Sequence, residues 1–283
     1  MTAALGLHVG VDRGFPAAIE TAVDLGLEAA QIFTCDPTAW RSRMADPRAA
    51  RAFTDSLREA GVGTVVSHAN YLINMAGSEE PIYGKSVAAL ADELSRGAAY
   101  GLDHVIVHIG SHKGAGLDSA YDNIVAAVEN ALEKVAPIGS PRLLLENSAG
   151  TGDNVGGRFD ELAELLRRLE AHADRVGICF DTAHAHSAGY DMTGAEMSGD
   201  TIAELDAVVG LDRLFVIHAN DTQVPAGGKA DRHWHIGEGL LGTDTFALLL
   251  QHDVLGNLPY ILETPGDENT EGRRNLETLR SLR

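Results

Sequence analysis

Eight short apolar runs, each followed by an amphipathic stretch, recur along the whole chain. The runs cover residues 5–11, 29–33, 64–67, 104–108, 142–146, 177–181, 214–218 and 260–263. The stretches between and after them, 17–25, 47–60, 85–100, 119–135, 159–172, 201–209, 243–251 and 272–283, carry the spacing of surface helices. Most of the runs are apolar throughout rather than alternating, as parallel strands buried on both faces must be. Eight β/α pairs in 283 residues predict an α/β protein, a closed (β/α)8 TIM barrel spanning residues 1–283. An open doubly wound sheet is the competing fold. It usually carries a glycine-rich phosphate turn after its first strand, and Gly10-Val11-Asp12-Arg13-Gly14 lacks that pattern. No linker, low-complexity tract or charge block divides the chain. The longest irregular stretches, 33–46, 68–84 and 220–242, all follow expected strands. They therefore fall on the rim where barrel enzymes build their sites.

Ligand-type side chains sit at the ends of six consecutive runs: His68, His108, Glu146, Asp181, His218 and Glu263. They follow one another at intervals of roughly 35 to 45 residues, one β/α unit each time. In a barrel these strand ends converge, so six such groups would face one cup. A lone histidine at a strand end is more often a hydrogen-bonded core residue than a ligand. Six on successive strands point instead to a metal centre. Imidazoles and carboxylates without thiolates suit Zn²⁺, Mn²⁺ or Fe²⁺. Six groups exceed the needs of one tetrahedral ion and imply at least two ions sharing a bridging carboxylate. Two local motifs add ligands. Asp181-Thr182-Ala183-His184 places an imidazole just past the sixth run, and Asp231-Arg232-His233 lies in the long loop after the seventh. His104, His112, His172 and His252 have no such support and are read as surface or core residues, with His186 and His235 as neighbours of the site. Residues 150–157 are glycine-rich, but no Lys-Ser/Thr pair follows, so a tight turn is expected there rather than a nucleotide loop.

Charge alone argues against nucleic acid: 22 basic residues against 41 acidic give a net charge of −19. Bound cations would reverse that locally, and ligand carboxylates inflate the acidic count. No window is long and apolar enough for a membrane helix, and the N-terminal residues lack the basic-then-apolar pattern of a secretion signal. Cys35 and Cys179 are far apart and show no ligand spacing. These features predict a cytoplasmic protein with reduced thiols and no membrane partner.

The segments around these residues resemble the endonuclease IV family of apurinic/apyrimidinic endonucleases. They are His68-Ala69-Asn70-Tyr71-Leu72-Ile73-Asn74, His108-Ile109-Gly110-Ser111-His112 and Leu145-Glu146-Asn147-Ser148-Ala149-Gly150. Cys179-Phe180-Asp181-Thr182-Ala183-His184, Ala188-Gly189-Tyr190-Asp191 and His218-Ala219-Asn220-Asp221 follow. Asp231-Arg232-His233-Trp234-His235-Ile236-Gly237-Glu238-Gly239 and Leu262-Glu263-Thr264-Pro265 complete the order. The resemblance implies a TIM barrel with three zinc ions, Mn²⁺ or Fe²⁺ being substitutes. By similarity His68, His108 and Glu146 hold one. Glu146 bridges to a second, held also by Asp181, His218 and Glu263, and His184, Asp231 and His233 hold the third. Glu146 and Glu263 are the catalytic carboxylates it implies. The implied reaction belongs to base excision repair. It is hydrolysis of the phosphodiester 5′ to an abasic site in double-stranded DNA, leaving a 3′-hydroxyl and a 5′ deoxyribose phosphate, with removal of 3′ blocking groups. Tyr71 and Leu72 match the family's wedge in the damaged duplex, and a monomer is expected. Three positions depart from the family: Ile109 replaces its usual Pro, Thr38 stands where a basic residue is common, and Gly228-Lys229-Ala230 replaces its Ser-Arg pair. The alternative is a metal-dependent sugar isomerase or epimerase of the same barrel superfamily, which has no need of the His184, Asp231 and His233 set.

Overall fold

The expected barrel forms. In the computed structural model, which describes residues 2–40, 45–135 and 140–283, eight parallel strands pair in sequence order and close. They are β1 (Ala4–His8), β2 (Ala29–Ile32), β3 (Thr64–His68), β4 (His104–His108), β5 (Arg142–Glu146), β6 (Val176–Asp181), β7 (Leu214–His218) and β8 (Pro259–Leu262). Closure is the β1–β8 ladder, with Leu5 opposite Tyr260 and Leu7 opposite Leu262. Residues 41–44 of the irregular stretch 33–46 lie outside the described residues.

The outer layer among the described residues is α1 (Phe15–Leu25), α2 (Pro47–Glu59), α3 (Ile82–Tyr100), α4 (Leu117–Glu133), α5 (Phe159–Arg168), α6 (Thr182–Ala188), α7 (Gly194–Val208), α8 (Gly242–Gln251) and α9 (Arg273–Leu282). Local chemistry sets the ends. Asp46 accepts the N–H groups of Arg48 and Ala49, each at 3.0 Å, and Pro47 opens the first turn of α2. Two helices differ from expectation. α7 begins at Gly194 rather than 201, because Gly194, Ser198 and Gly199 weaken the helical signal without preventing the turn from packing. α6 is additional: Asp181 accepts the His184 N–H at 2.7 Å and starts a helix of seven residues directly on the strand end. His184 is therefore a helical residue, not part of a rim loop.

Side-chain parity divides the core. Leu5, Val65, Val105, Leu143, Ile178 and Ile217 point outward into the layer shared with the helices. Ala29, Val66, Ile106, Leu144, Cys179, Val216 and Ile261 point inward and plug the barrel. On β1 the corresponding place is Gly6, where a Cβ would lie 1.8 Å from the Ala29 carbonyl oxygen, so only glycine lets these strands approach. Behind the rim, the fully buried Glu93 of α3 accepts hydrogen bonds from Thr34 and Ser67 at 2.8 and 2.7 Å and from Arg96 at 2.6 Å. That network ties α3 to the ends of β2 and β3.

Candidate metal centre

Strand side chains alternate, so the residue two places beyond each inward plug residue also faces the barrel axis. Stepping on from the plug layer gives Gln31, His68, His108, Glu146, Asp181, His218 and Glu263, with His8 following Gly6 on β1. One polar side chain from every strand thus reaches the C-terminal mouth. Register brings neighbours together: His108 is paired with Glu146, and Asp181 with His218 after a shift at Ile178 and Cys179.

Among the described residues, six of these side chains, with His184 and His233, form three groups whose ligand atoms lie within 4.8 Å of one another. His68, His108 and Glu146 form one; Glu146, Asp181, His218 and Glu263 form the second; Asp181, His184 and His233 form the third. Glu146 belongs to two groups, as expected. Asp181 also belongs to two, which the sequence reading did not anticipate. Asp231 stands beside the third group, with Oδ1 3.2 Å from His184 Nε2 and 3.6 Å from His233 Nε2.

The second ring nitrogen of most of these histidines is already committed. His68 Nδ1 lies 2.7 Å from the Ala69 carbonyl oxygen, His184 Nδ1 2.9 Å from that of Asn147, and His233 Nδ1 3.3 Å from that of Glu263. A carbonyl can only accept, so each Nδ1 carries a proton and Nε2 is the nitrogen left to face the mouth. The Nε2 atoms of His184 and His233 are buried there and make no hydrogen bond. Carboxylate oxygens stand 3.2 and 3.5 Å away without the alignment of one. Buried imidazole nitrogens without a hydrogen bond, beside unaligned carboxylates, are the arrangement a cation completes, and a thiolate-free donor set fits Zn²⁺, Mn²⁺ or Fe²⁺.

The electrostatics agree. Burial opposes charge on Glu146, yet His108 and His218 hold its carboxyl well below the usual range. Burial likewise opposes charge on Glu263, but His218, with His68 and His233, holds it at about 2. Burial disfavours the His184 imidazolium, while Asp181, Asp231 and Glu146 push its pKa up to about 10. Protons on imidazoles thus offset the carboxylates of the metal-free protein, and a cation would displace them.

Residues 19–283 match the family described as xylose isomerase-like TIM barrel. A "Probable endonuclease 4" from Methanoculleus marisnigri is 40% identical over 278 residues, 98% of each chain. The crystal structure of endonuclease IV from Thermus thermophilus superposes with a TM-score of 0.85 at 36% identity, covering 99% of this chain and 98% of that one. The chain belongs to the endonuclease IV family. A D-tagatose 3-epimerase-like protein has a TM-score of 0.75 at 19% identity, covering 99% of this chain and 96% of that one, and shares the fold alone.

Around this endonuclease IV centre the rim forms two adjoining clefts. One, about 670 Å³, runs past His8, Phe33 and Glu263; the other, about 510 Å³, runs past Leu72, Trp40, Ile82 and Lys113. His108, His184 and Asp231 line both, and Tyr71 stands between them. Tyr71 is 54% exposed although its ring meets Phe33 edge-on, with centroids 5.4 Å apart, and lies equally far from the His68 ring. Its loop is fixed from below: Tyr71 N–H donates to the Pro37 carbonyl, Leu72 N–H to Asn70 Oδ1, and Asn70 Nδ2 to the Ala39 carbonyl.

Two residues of the mouth went unnoticed in the sequence. His8 lies inside a run read as strand to residue 11, and Gln31 is not a ligand type. Counting two residues on from the inward plug would have found both. His186 and His235, expected as neighbours of the ligands, instead serve loops: His186 Nδ1 accepts the Met192 N–H at 3.1 Å, and His235 Nδ1 lies 3.2 Å from Asn275 Nδ2. His112 is likewise structural, its Nδ1 accepting the Gly114 and Gly116 N–H groups at 3.2 and 3.3 Å.

Proposed function

We infer that this chain is a metal-dependent hydrolase that cuts the DNA backbone 5′ to abasic sites, using three divalent ions, zinc foremost. The observation that carries the reading is the overlap of three ligand groups through Glu146 and Asp181 in one open mouth. A sugar isomerase needs fewer ions, and the pair His184 and His233 would be surplus to it. Membership of the endonuclease IV family supports the same conclusion.

When bound, the ions supply positive charge to a scissile phosphate and acidify water. The chain supplies the rest. His68, His108 and Glu146 would hold the first ion, Glu146 with Asp181, His218 and Glu263 the second, and His184, His233 and Asp231 the third, with Asp181 in reach of the last. Among the acidic ligands, Glu146 and Asp181 have fully buried side chains, whereas those of Glu263 and Asp231 are 17% and 52% exposed. Glu263 therefore borders the cleft where substrate enters and can accept a proton from the attacking water. An abasic nucleotide leaves the stack easily, because no base must be unpaired. Tyr71 and Leu72, raised on a braced loop, would fill the gap it leaves. At a net charge of −19, affinity for intact duplex must rest on the cations of the mouth.

Incubation with a duplex carrying one abasic-site analogue tests this directly. Cleavage at the analogue to a polymerase-extendable 3′ end, lost with chelator and regained with Zn²⁺, is expected. An inert duplex together with turnover of a ketose or aldose would replace it with the isomerase reading.

A further inference from the structure

Gln31, at the mouth end of β2, is fully buried and uses its whole amide on residues of the metal centre. Its Nε2 donates to Glu263 Oε1 at 2.6 Å and lies 3.2 Å from His8 Nδ1; its Oε1 lies 2.9 Å from His218 Nε2. The amide fits in this sense only. Reversed, its oxygen would face the Glu263 carboxylate, and two acceptors would be opposed. With the oxygen on His218, the histidine Nε2 must be the protonated nitrogen, because an amide oxygen accepts and never donates. With Nε2 so occupied, Nδ1 is the atom that faces the cluster, 2.9 Å from Glu146 Oε1 and 3.2 Å from Glu263 Oε2, where a cation would take the place of its proton. The bond to Glu263 likewise occupies Oε1 and turns Oε2 toward the same point. The third partner, His8, receives the remaining amide hydrogen on Nδ1. Its burial, with His68 and His218 nearby, pushes its pKa down to about 4, so it stays a neutral acceptor.

We propose that Gln31 is the positioning residue of the second metal group: it fixes His218 in the Nδ1-ligating tautomer and Glu263 with Oε2 forward. His218 thereby differs from His68, His184 and His233, which are held by backbone carbonyls and present Nε2. The reason lies in the fold. His218 points across the mouth toward β2, and the Gln31 amide, with an acceptor and a donor on one side chain, serves His218 and Glu263 together. The inference rests on the metal-centre reading above, and its test separates the two.

Zinc content and affinity would be measured by chelator competition on wild type, Gln31→Met and Gln31→Glu, with circular dichroism of the metal-free proteins as the folding control. Wild type should hold three ions; a count without the second group would remove the reading on which this rests. Gln31→Met keeps the volume and loses every bond, and one ion should be released at about 10- to 100-fold weaker chelation. Gln31→Glu keeps an acceptor for His218 and loses the donor to Glu263, and should fall between the two. Wild-type affinity in either folded variant overturns the proposal. A readout that needs no variant is the histidine ¹⁵N spectrum of the zinc-loaded wild type: His218 should carry its proton on Nε2, and a proton on Nδ1 would equally overturn it.

Discussion

Asn147 and Asp181 are joined in both directions: the Asp181 N–H donates to Asn147 Oδ1 at 2.6 Å, and Asn147 Nδ2 donates to the Asp181 carbonyl at 3.0 Å. The side chain of a residue just past β5 thus completes the backbone hydrogen bonding at the end of β6. The Asp181 carboxylate is then aimed by Asn220 Nδ2, 2.7 Å from Oδ2, while Asn220 Oδ1 accepts the Glu263 N–H at 2.9 Å. Two asparagines, just past β5 and β7, thus fix the ends of β6 and β8, where Asp181 and Glu263 stand.

Asn147→Ala should be costly for that reason. It leaves the buried Asp181 N–H without an acceptor, a loss of about 1–3 kcal/mol. Calorimetry of the metal-free protein should show a melting temperature several degrees lower, and the loaded protein should bind fewer ions. A melting temperature equal to wild type would show that the pair contributes little.

Tyr71→Ala should leave stability nearly untouched, since the residue is 54% exposed. Loss of an aromatic stacking surface is worth about 1–3 kcal/mol per nucleotide contact, so preference for abasic over intact duplex should fall roughly tenfold. Competition with undamaged DNA measures it. Undiminished preference would return Tyr71 to loop packing against Phe33 and His68.

The barrel was legible because eight apolar runs at the β/α interval have few other solutions, and the clustering of ligand-type side chains because six of them recur at strand ends. What escaped did so for physical reasons. α6 is too short to show periodicity, and its start depends on one carboxylate, Asp181, that also belongs to the metal centre. Gln31 matters through partners contributed by β1, β7 and the residue after β8, which local sequence cannot reveal. The sharing of Asp181 between groups depends on how α6 tilts His184, a property of packing and not of spacing.

Glu161 offers a test of pH dependence away from the metal centre. It is buried at the start of α5, accepting the Gly156 N–H at 2.8 Å, and burial raises its pKa above the usual carboxylate value. A raised folded-state pKa contributes stability in acid that is lost as pH rises through that pKa, so the ionised group weakens the fold at neutral pH. Glu161→Gln keeps an acceptor for Gly156 without the charge. Its melting temperature should exceed wild type at pH 7, and the difference should shrink as pH falls below the ordinary carboxylate range. A variant less stable than wild type at pH 7 would show that the Gly156 bond needs the full carboxylate.

Overlap of the ligand groups sets the order of metal loss. His233 belongs to one group, so His233→Ala should remove about one ion and leave the pair bridged by Glu146, since three-ligand sites tolerate loss poorly. Asp181 belongs to two groups, so Asp181→Ala should remove about two ions and spare the one held by His68, His108 and Glu146. The difference is geometric: the Asp181 carboxylate offers Oδ2 to His233 Nε2 at 3.5 Å and to His218 Nδ1 at 4.0 Å, whereas Asp231, among the described residues, pairs with His184 and His233. Asp231→Ala should consequently resemble His233→Ala in metal count. Backbone cleavage should fall by orders of magnitude in all three, because each weakens the charge that stabilises the transition state. Metal analysis of the purified variants decides the matter. An Asp181 variant that loses a single ion would place its carboxylate in one group only, and an unchanged count in His233→Ala would remove the third ion from the centre altogether.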